Sequence, residues 1–553
     1  MEGIKFDLNG LPFEMKTLQD LVNRSEESYK NFPSVQFFEG KELKTRSYQM
    51  LAEDTRRLSN AIAQLPGENG NIALVGQNSY RWIVTFLAIC CAGRTAVLVD
   101  ANASARDLRR FLLNGELSCV VCDASCREKV SSVCKEFTQA IPIYSIELLD
   151  GMIGGISVVD QMGKLFITQV YPQTIAAIVF TSGSSGDSKG VMLSHKNLVS
   201  DIKACQLLTQ VGRYASIFTI LPPQHAFQLT AGILTALYVG ARIGIGRGTK
   251  YVRQDFLLYK PTFIVVVPAI VKSLYRQTKR SVERSNRTKQ ISRSVKVSEF
   301  LLHMGIDLRR ILFKEVRAAY GGELCSIICG GAHLENSVVE GMNAIGLRVL
   351  TGYGITECSP VVSCNMPERN KVGSVGVGTV FGEVKEYEGE LLVRGDIVAN
   401  GYYGMPEQTA EAFVDGWFHT GDLGYVDRDG FVYVLGRKKN IIVLSNGENI
   451  SPEELEELLV SIPGVDEAVI HVSYSGDLDY LSAVIYPNME YSRNCGDKEY
   501  ERQIREEICK LNQTLSSFKQ IKSVEISKEP PKRTASGKLQ RLQDEQNSAL
   551  MNT

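Results

Sequence analysis

The stretch from Ile175 to His195 constrains this chain more than any other. Ile175 to Phe180 is an apolar run long enough for a buried strand. A loop of hydroxyls and glycines follows, Thr181-Ser182-Gly183-Ser184-Ser185-Gly186, closed by Lys189-Gly190 and a second apolar run, Val191 to Leu193. Glycines let backbone N–H groups turn inward, hydroxyls add donors, and a lysine adds a point charge, so such a loop suits polyphosphate. A flexible Ser/Gly linker has the same composition, but linkers rarely sit between two strand-like runs. The spacing Gly183-x-x-Gly186-x-x-Lys189 is not that of a Walker loop.

Size and composition are those of a globular chain of a few domains: 553 residues, 44% hydrophobic and 22% charged. The net charge of −1 gives no electrostatic reason to expect nucleic acid as a partner. The N-terminus lacks the basic-then-apolar layout of a signal peptide, and the longest apolar run, near Trp82 to Cys91, is too short for a bilayer, so a cytoplasmic protein is expected. Thirteen cysteines fit a reducing compartment. Cys119-x-x-Cys122 has zinc-like spacing, yet Leu117 to Asp123 reads as a strand whose alternation sends the two thiols to opposite faces, which favours buried structural cysteines.

Along the chain, the first forty or so residues read as an irregular arm, and an amphipathic helix runs from about Thr45 to Gln64. Strands at Ile72 and Ala96 then alternate with helices at Ser79 to Cys91 and Ser104 to Leu113, which predicts a layered α/β domain with parallel sheets. His195 to Thr209 is a predicted helix, and Ile217 to Pro222 a strand leading into Gln224-His225-Ala226-Phe227. From Gly373 the chain turns β-rich. Gly436 to Asn440 reads as a hinge, and Ser451-Pro452-Glu453-Glu454 as a capping box opening the first helix of a small α+β unit. The expected domains are 1–437 and 438–553. Lys272 to Lys296 is strongly basic; it is read as a solvated face in preference to a contact with anionic lipid head groups at a membrane periphery.

Taken together, Thr181 to Gly190, Ser326 to Ala332, Thr351-Gly-Tyr-Gly-Ile-Thr-Glu357, Gly416 to Asn440 and Thr534-Ala-Ser-Gly-Lys538 resemble, in order, the motifs of the adenylate-forming superfamily, with Ser188 where proline is common. The resemblance covers nearly the whole chain and is strongest to long-chain fatty acyl-CoA synthetases. It implies a large N-terminal domain of layered parallel sheets with a β-rich subdomain, and a small mobile C-terminal domain. It further implies that Thr181, Ser182, Gly183, Ser184, Ser185, Gly186 and Lys189 hold the phosphates of ATP. Gly331, Ala332 and Tyr353 would frame adenine, with Asp422 and Arg437 on the ribose and phosphate. Thr356 would reach phosphate and Glu357 would hold Mg²⁺. His225 would lie at the carboxylate end of an acyl pocket, Lys538 would be the catalytic lysine, and Gly447 would lie in a turn lining the path of pantetheine.

The implied reaction joins a fatty acid to AMP and then to the thiol of CoA. A separate acyl carrier protein is the alternative acceptor, and a non-catalytic nucleotide-binding relative is a reading of another class. Gln224 to Leu229 contains no acid to pair with a substrate amine, which favours an unmodified carboxylic acid over an α-amino acid. Gln228 stands where a small residue is frequent in the family.

Overall fold

A computed structural model describes residues 6–65, 70–137, 140–147, 165–181, 188–284, 288–444, 449–475 and 478–527, with Glu529 and Pro531. Ser182–Gly186, Gly447 and Lys538 lie outside the described residues.

Two sheets dominate the N-terminal part. The first runs in the order Ile143–Ser145, Leu117–Cys122, Asn71–Val75, Ala96–Val99, Ile175–Thr181, Lys189–Ser194, and all its pairs are parallel except the last. The second has Ser216–Thr219, Arg242–Ile245, Phe263–Val266, Ser326–Cys329 and Arg348–Gly354 as a parallel centre, with antiparallel strands at both edges. The strands are short and apolar on both faces, as parallel strands covered on two sides must be. Alternation then divides the core. Ile72, Leu74 and Leu98 of the first sheet join Ile217, Ile243 and Val265 of the second in one cluster, around the helices Tyr80–Cys91 and His195–Thr209. Ala73, Val75 and Val97 face outward onto Ala105–Asn114 and Ala124–Cys134, while Phe218, Ile264 and Val266 face helix Pro268–Arg284. Helix layers thus alternate with the two sheets, as expected from the strand–helix pattern.

The same alternation settles the cysteines. Cys119 packs in the cluster between the sheets and Cys122 in the outer one, both buried and reduced, and among the described residues no cluster of three or more metal-ligating side chains occurs.

The N-terminal arm is not irregular. Residues Leu18–Tyr29 form a helix opened by a capping box of Thr17 and Asp20, and Pro33–Glu39 pairs with Glu42–Ser47 in a hairpin that adds an edge to the second sheet. The helical spacing of Leu18, Leu21, Val22, Ser25 and Tyr29 carried that signal. Its first turn is anchored on His195, whose Nδ1 accepts the Leu18 N–H at 3.1 Å. Burial lowers the His195 pKa from 6.5 to about 4, and Nδ1 must stay unprotonated to accept. A pKa lowered by folding means that the unfolded chain binds the extra proton first. The contribution is therefore complete above pH 6.5 and is lost as pH falls toward about 4, up to about 3 kcal/mol. Denaturant titrations from pH 7 to 4 should show this slope, and a His195→Gln variant should flatten it.

A β-rich subdomain, Gly382–Tyr387, Glu390–Gly395, Phe413–Val414, Trp417–Val426 and Val432–Arg437, follows. The C-terminal unit has its own core, in which Ile450, Leu455 and Leu459 pack on Ile470, Ile485 and Ile504. Its first helix, Pro452–Val460, carries Pro at its start but no side-chain cap. The Ser451 hydroxyl instead donates to the Leu435 carbonyl at 3.1 Å, tying the helix start to strand Val432–Arg437, so the expected capping box is not made. No helix among the described residues is long and apolar enough to cross a membrane.

Candidate active site

The carboxyl ends of both parallel sheets open on one side, where α/β folds gather ligands. Cys329 lies in register with Thr351, which brings Gly331 and Tyr353, each two residues further on, to the same sheet edge. Gly331 has φ +90°, with only Val267 near where a Cβ would point, so the backbone conformation asks for glycine there. Gly352 and Gly354 have a different reason. A Cβ on Gly354 would sit 2.1 Å from the Pro360 carbonyl oxygen, and one on Gly352 3.0 Å from that of Ser363. These two glycines admit the neighbouring strand Val361–Cys364 rather than a flat ring.

Tyr353 reaches across to the β-rich subdomain, and its hydroxyl donates to Asp422 Oδ2 at 2.5 Å. Arg437, directly opposite Asp422 in the paired strands, places Nε 2.6 Å from Oδ1. Asp422 is buried, and its backbone N–H donates to the Thr420 hydroxyl at 3.0 Å. Burial, and then the Asp422 charge, hold the Tyr353 hydroxyl well above its usual pKa, so it remains a donor. One buried carboxylate therefore sits between a phenol and a guanidinium, both at the rim of the Gly331 edge.

Glu357 lies on a single 3₁₀ turn, Thr356–Cys358, just beyond that strand. Tyr402, which sequence reasoning missed, donates to Glu357 Oε1 at 3.0 Å. Its ring lies under Lys189, with Nζ 4.5 Å from the centroid. The 400–403 segment is stitched to Lys189–Ser194: Met192 N–H donates to the Gly401 carbonyl at 3.0 Å and Tyr403 N–H to that of Gly190 at 2.7 Å. Burial and the Glu357 charge raise the Tyr402 pKa, and the Arg437 charge opposes them, so both groups of residues belong to one locus. Only the glycines on either side of Tyr402-Tyr403 hinted at it: Gly401 has φ +114° and its Cβ would meet Thr409 at 2.5 Å. Tyr402→Phe keeps the ring under Lys189 and loses the bond to a carboxylate; turnover should fall about tenfold or somewhat more, and Tyr402→Ala should lower it further. Steady-state rates for the pair of variants check this.

Among the described residues His225 takes no part in these contacts. It precedes a helical stretch whose middle, Gln228–Leu234, is a π-helix, a local form frequent at functional sites. Burial lowers its pKa and Asp100, from the first sheet, partly offsets this. That carboxylate comes from a distant stretch of chain, where a reading of Gln224 to Leu229 could not find it. A cavity of about 300 Å³ runs from Gly76–Asn78 and Asp100–Asn102 to Leu221–Gln224 and Gly246–Gly248, bridging the two sheets. Gln228 is fully buried, its amide lies over Gly232, where a Cβ would be 2.2 Å from Nε2, and neither amide atom has a partner among the described residues.

The locus suits a nucleotide. Asp422 offers carboxylate oxygens to paired hydroxyls, Arg437 and Lys189 offer charge to phosphates, and the Gly331 edge leaves space for a flat base. A single carboxylate, Glu357, fits Mg²⁺, which usually takes one or two carboxylates and completes its shell from phosphates and water.

A layered α/β body of two sheets with a small appended unit and a cleft of this donor set defines a nucleotide-dependent enzyme. The chain belongs to the AMP-binding enzyme family: residues 23–403 match that family and 439–548 match the AMP-binding enzyme C-terminal domain. Its relatives include the long-chain-fatty-acid–CoA ligase FadD15 of Mycobacterium bovis, 27% identical over 427 residues that cover 72% of this chain and 70% of that protein. Long-chain-fatty-acid–CoA ligase 5 of Rattus norvegicus is 25% identical over 582 residues, covering 94% and 84%. Among solved structures, ATP-bound MatB from Rhodopseudomonas palustris superposes with a TM-score of 0.77 at 22% identity, covering 96% of this chain and 98% of that one. The Mycobacterium tuberculosis fatty acyl CoA synthetase gives 0.67 at 20%, covering 97% and 99%.

Proposed function

We propose that the protein activates a fatty acid as its adenylate and passes the acyl group to the thiol of CoA. The observation that carries this reading is the convergence of Asp422 and Arg437 at one end, and of Lys189 and Tyr402 at the other, on the short segment from Tyr353 to Glu357. In the first step a carboxylate oxygen of the acid bonds to the α-phosphorus of ATP and the bond to pyrophosphate breaks. Both reactants are anionic, so the protein's work is to neutralise charge and align atoms. Asp422 fixes the ribose, Arg437 and Lys189 face the phosphates, and the hydroxyls and N–H groups of 181–186 add donors. Mg²⁺ held at Glu357 would supply further positive charge to the phosphate oxygens. Lys538 completes the charge set in this step.

In the second step the CoA sulfur, its proton released, bonds to the acyl carbon and AMP departs with the electron pair of the broken C–O bond. The C-terminal unit, beginning at Lys438, turns about Lys438–Lys439, withdrawing Lys538 and bringing the turn that contains Gly447 toward the acceptor. His225, whose pKa burial lowers, follows Gln224 of the inter-sheet cavity wall and would lie at the carboxylate end of the acyl pocket.

AMP release from ATP and Mg²⁺ tests the reading, measured over a ladder of fatty acids with and without CoA. CoA-dependent turnover with a chain-length optimum is expected. Pyrophosphate exchange with fatty acids but no stimulation by CoA would point to a carrier-protein acceptor, and silence with every fatty acid would overturn the substrate assignment.

A further inference from the structure

The basic segment has an apolar continuation that its composition does not reveal. Residues 272–312 hold eleven Lys or Arg against three acids, in a chain whose net charge is −1. Two of these cations, on helix Pro268–Arg284, are paired with acids, and three others face outward on the next helix. Lys272 pairs with Glu335, and Arg276 with Asp466 of the C-terminal unit at 3.2 Å, so these two are structural. Lys289, Arg293 and Lys296 belong to helix Thr288–His303 and are exposed.

On that helix Ile291, Val295 and Ser298 face the protein. Residues 289, 293, 296 and 300 share the opposite face at helical spacing. The outward stripe is therefore Lys289, Arg293, Lys296 and then Phe300, with Val297 beside it. Phe300 is 66% exposed and Val297 51%, and further exposed apolar side chains follow closely in sequence, Met304, Ile306 and Ile311, the last 73% exposed. Glu299 lies to one side of the stripe, and Asp307 is held by Arg309 at 2.6 Å. Large exposed apolar side chains grouped in sequence are not explained by folding, since burying them would have stabilised the protein.

We propose that this face docks on an anionic phospholipid bilayer, with Phe300, Met304, Ile306 and Ile311 entering the boundary between head groups and acyl chains while Lys289, Arg293 and Lys296 lie among the phosphates. Exposed apolar side chains beside exposed cations suit a surface that meets an anionic membrane, the apolar groups entering the boundary region and the cations pairing with head groups. Charge complementarity selects this occupant: a protein groove would leave three cations to be matched by acids, whereas an anionic leaflet meets them anywhere. The inference does not depend on which acid is activated.

Vesicle sedimentation of the full chain tests it, with phosphatidylcholine vesicles and with vesicles that also contain phosphatidylglycerol. Binding to the anionic vesicles is expected, weakening as salt is raised, with little binding to the neutral ones. Lys289→Gln, Arg293→Gln and Lys296→Gln together should weaken it about a hundredfold, at about fivefold for each cation lost. Phe300→Ser with Ile311→Ser should weaken it at every salt concentration. Acid-dependent AMP release by both variants in the absence of lipid, equal to that of the parent, shows that the fold is intact. Equal binding to both kinds of vesicle, or binding that neither variant changes, overturns the proposal. So does a dimer in sedimentation velocity that Phe300→Ser with Ile311→Ser abolishes, since the face would then be covered by a second copy.

Discussion

Asp422→Asn should lower kcat/KM for ATP by about 10²–10³. The carboxylate is buried, with Tyr353 donating to one oxygen at 2.5 Å and Arg437 lying 2.6 Å from the other. An amide keeps one acceptor but puts an NH₂ donor where a phenol or a guanidinium already donates. In the proposed site the loss would fall on the pair of ribose hydroxyls, and it also frees Arg437 from its fixed place. Nucleotide binding measured by calorimetry should weaken together with kcat. Stability should fall by less than a fully buried pair would imply, because the Arg437 side chain is 35% exposed and solvent screens it. An Asp422→Asn enzyme with parental ATP affinity would remove Asp422 from the nucleotide site and leave it a structural partner of Tyr353.

Lys538→Ala should separate the two chemical steps. Formation of the adenylate, followed by pyrophosphate exchange, should drop by about 10³, on the scale of losing one preorganised charge at a developing phosphate charge. Conversion of chemically supplied acyl-adenylate to thioester should stay within a few-fold of the parent, since in the proposed second step the lysine is withdrawn. Equal loss in both steps would argue against a rotating C-terminal unit. Lys532 is the nearby alternative, and Lys532→Ala should leave both steps near parental rates.

Much of the architecture was legible in local pattern. Short apolar strands alternating with helices led to layered parallel sheets, and helix His195–Thr209 begins and ends where its spacing predicted. The α+β character of the C-terminal unit follows from the same periodicities, although they do not reveal a short helix, Met489–Cys495, between strand Leu478–Pro487 and helix Asp497–Thr514. The opposed faces of Cys119 and Cys122 followed from strand alternation alone. Where reading failed, a local rule competed with a distant partner. Ser451 stands at the right place for a cap but donates to Leu435 instead. The N-terminal helix was passed over because few of its residues are large and apolar, and it relies on His195, 177 positions away, for its first turn.

The sequence by itself determined which chemical groups this protein owns and their order: a hydroxyl- and glycine-rich loop with Lys189, a Tyr353–Glu357 segment, Asp422 and Arg437, and Lys538 near the end. Those follow from residue type and spacing, which are local properties. Only the tertiary structure decided which groups meet. Tyr402 enters the site because backbone hydrogen bonds hold the 400–403 segment against Lys189–Ser194, a pairing across some two hundred residues. Asp422 meets Tyr353 because a separate β-rich subdomain folds over the edge of a parallel sheet. Among the cations of 272–296, Lys272 and Arg276 of helix Pro268–Arg284 are paired while Lys289, Arg293 and Lys296 of the next helix face outward, and which side of each helix is covered is settled only once the sheets have packed.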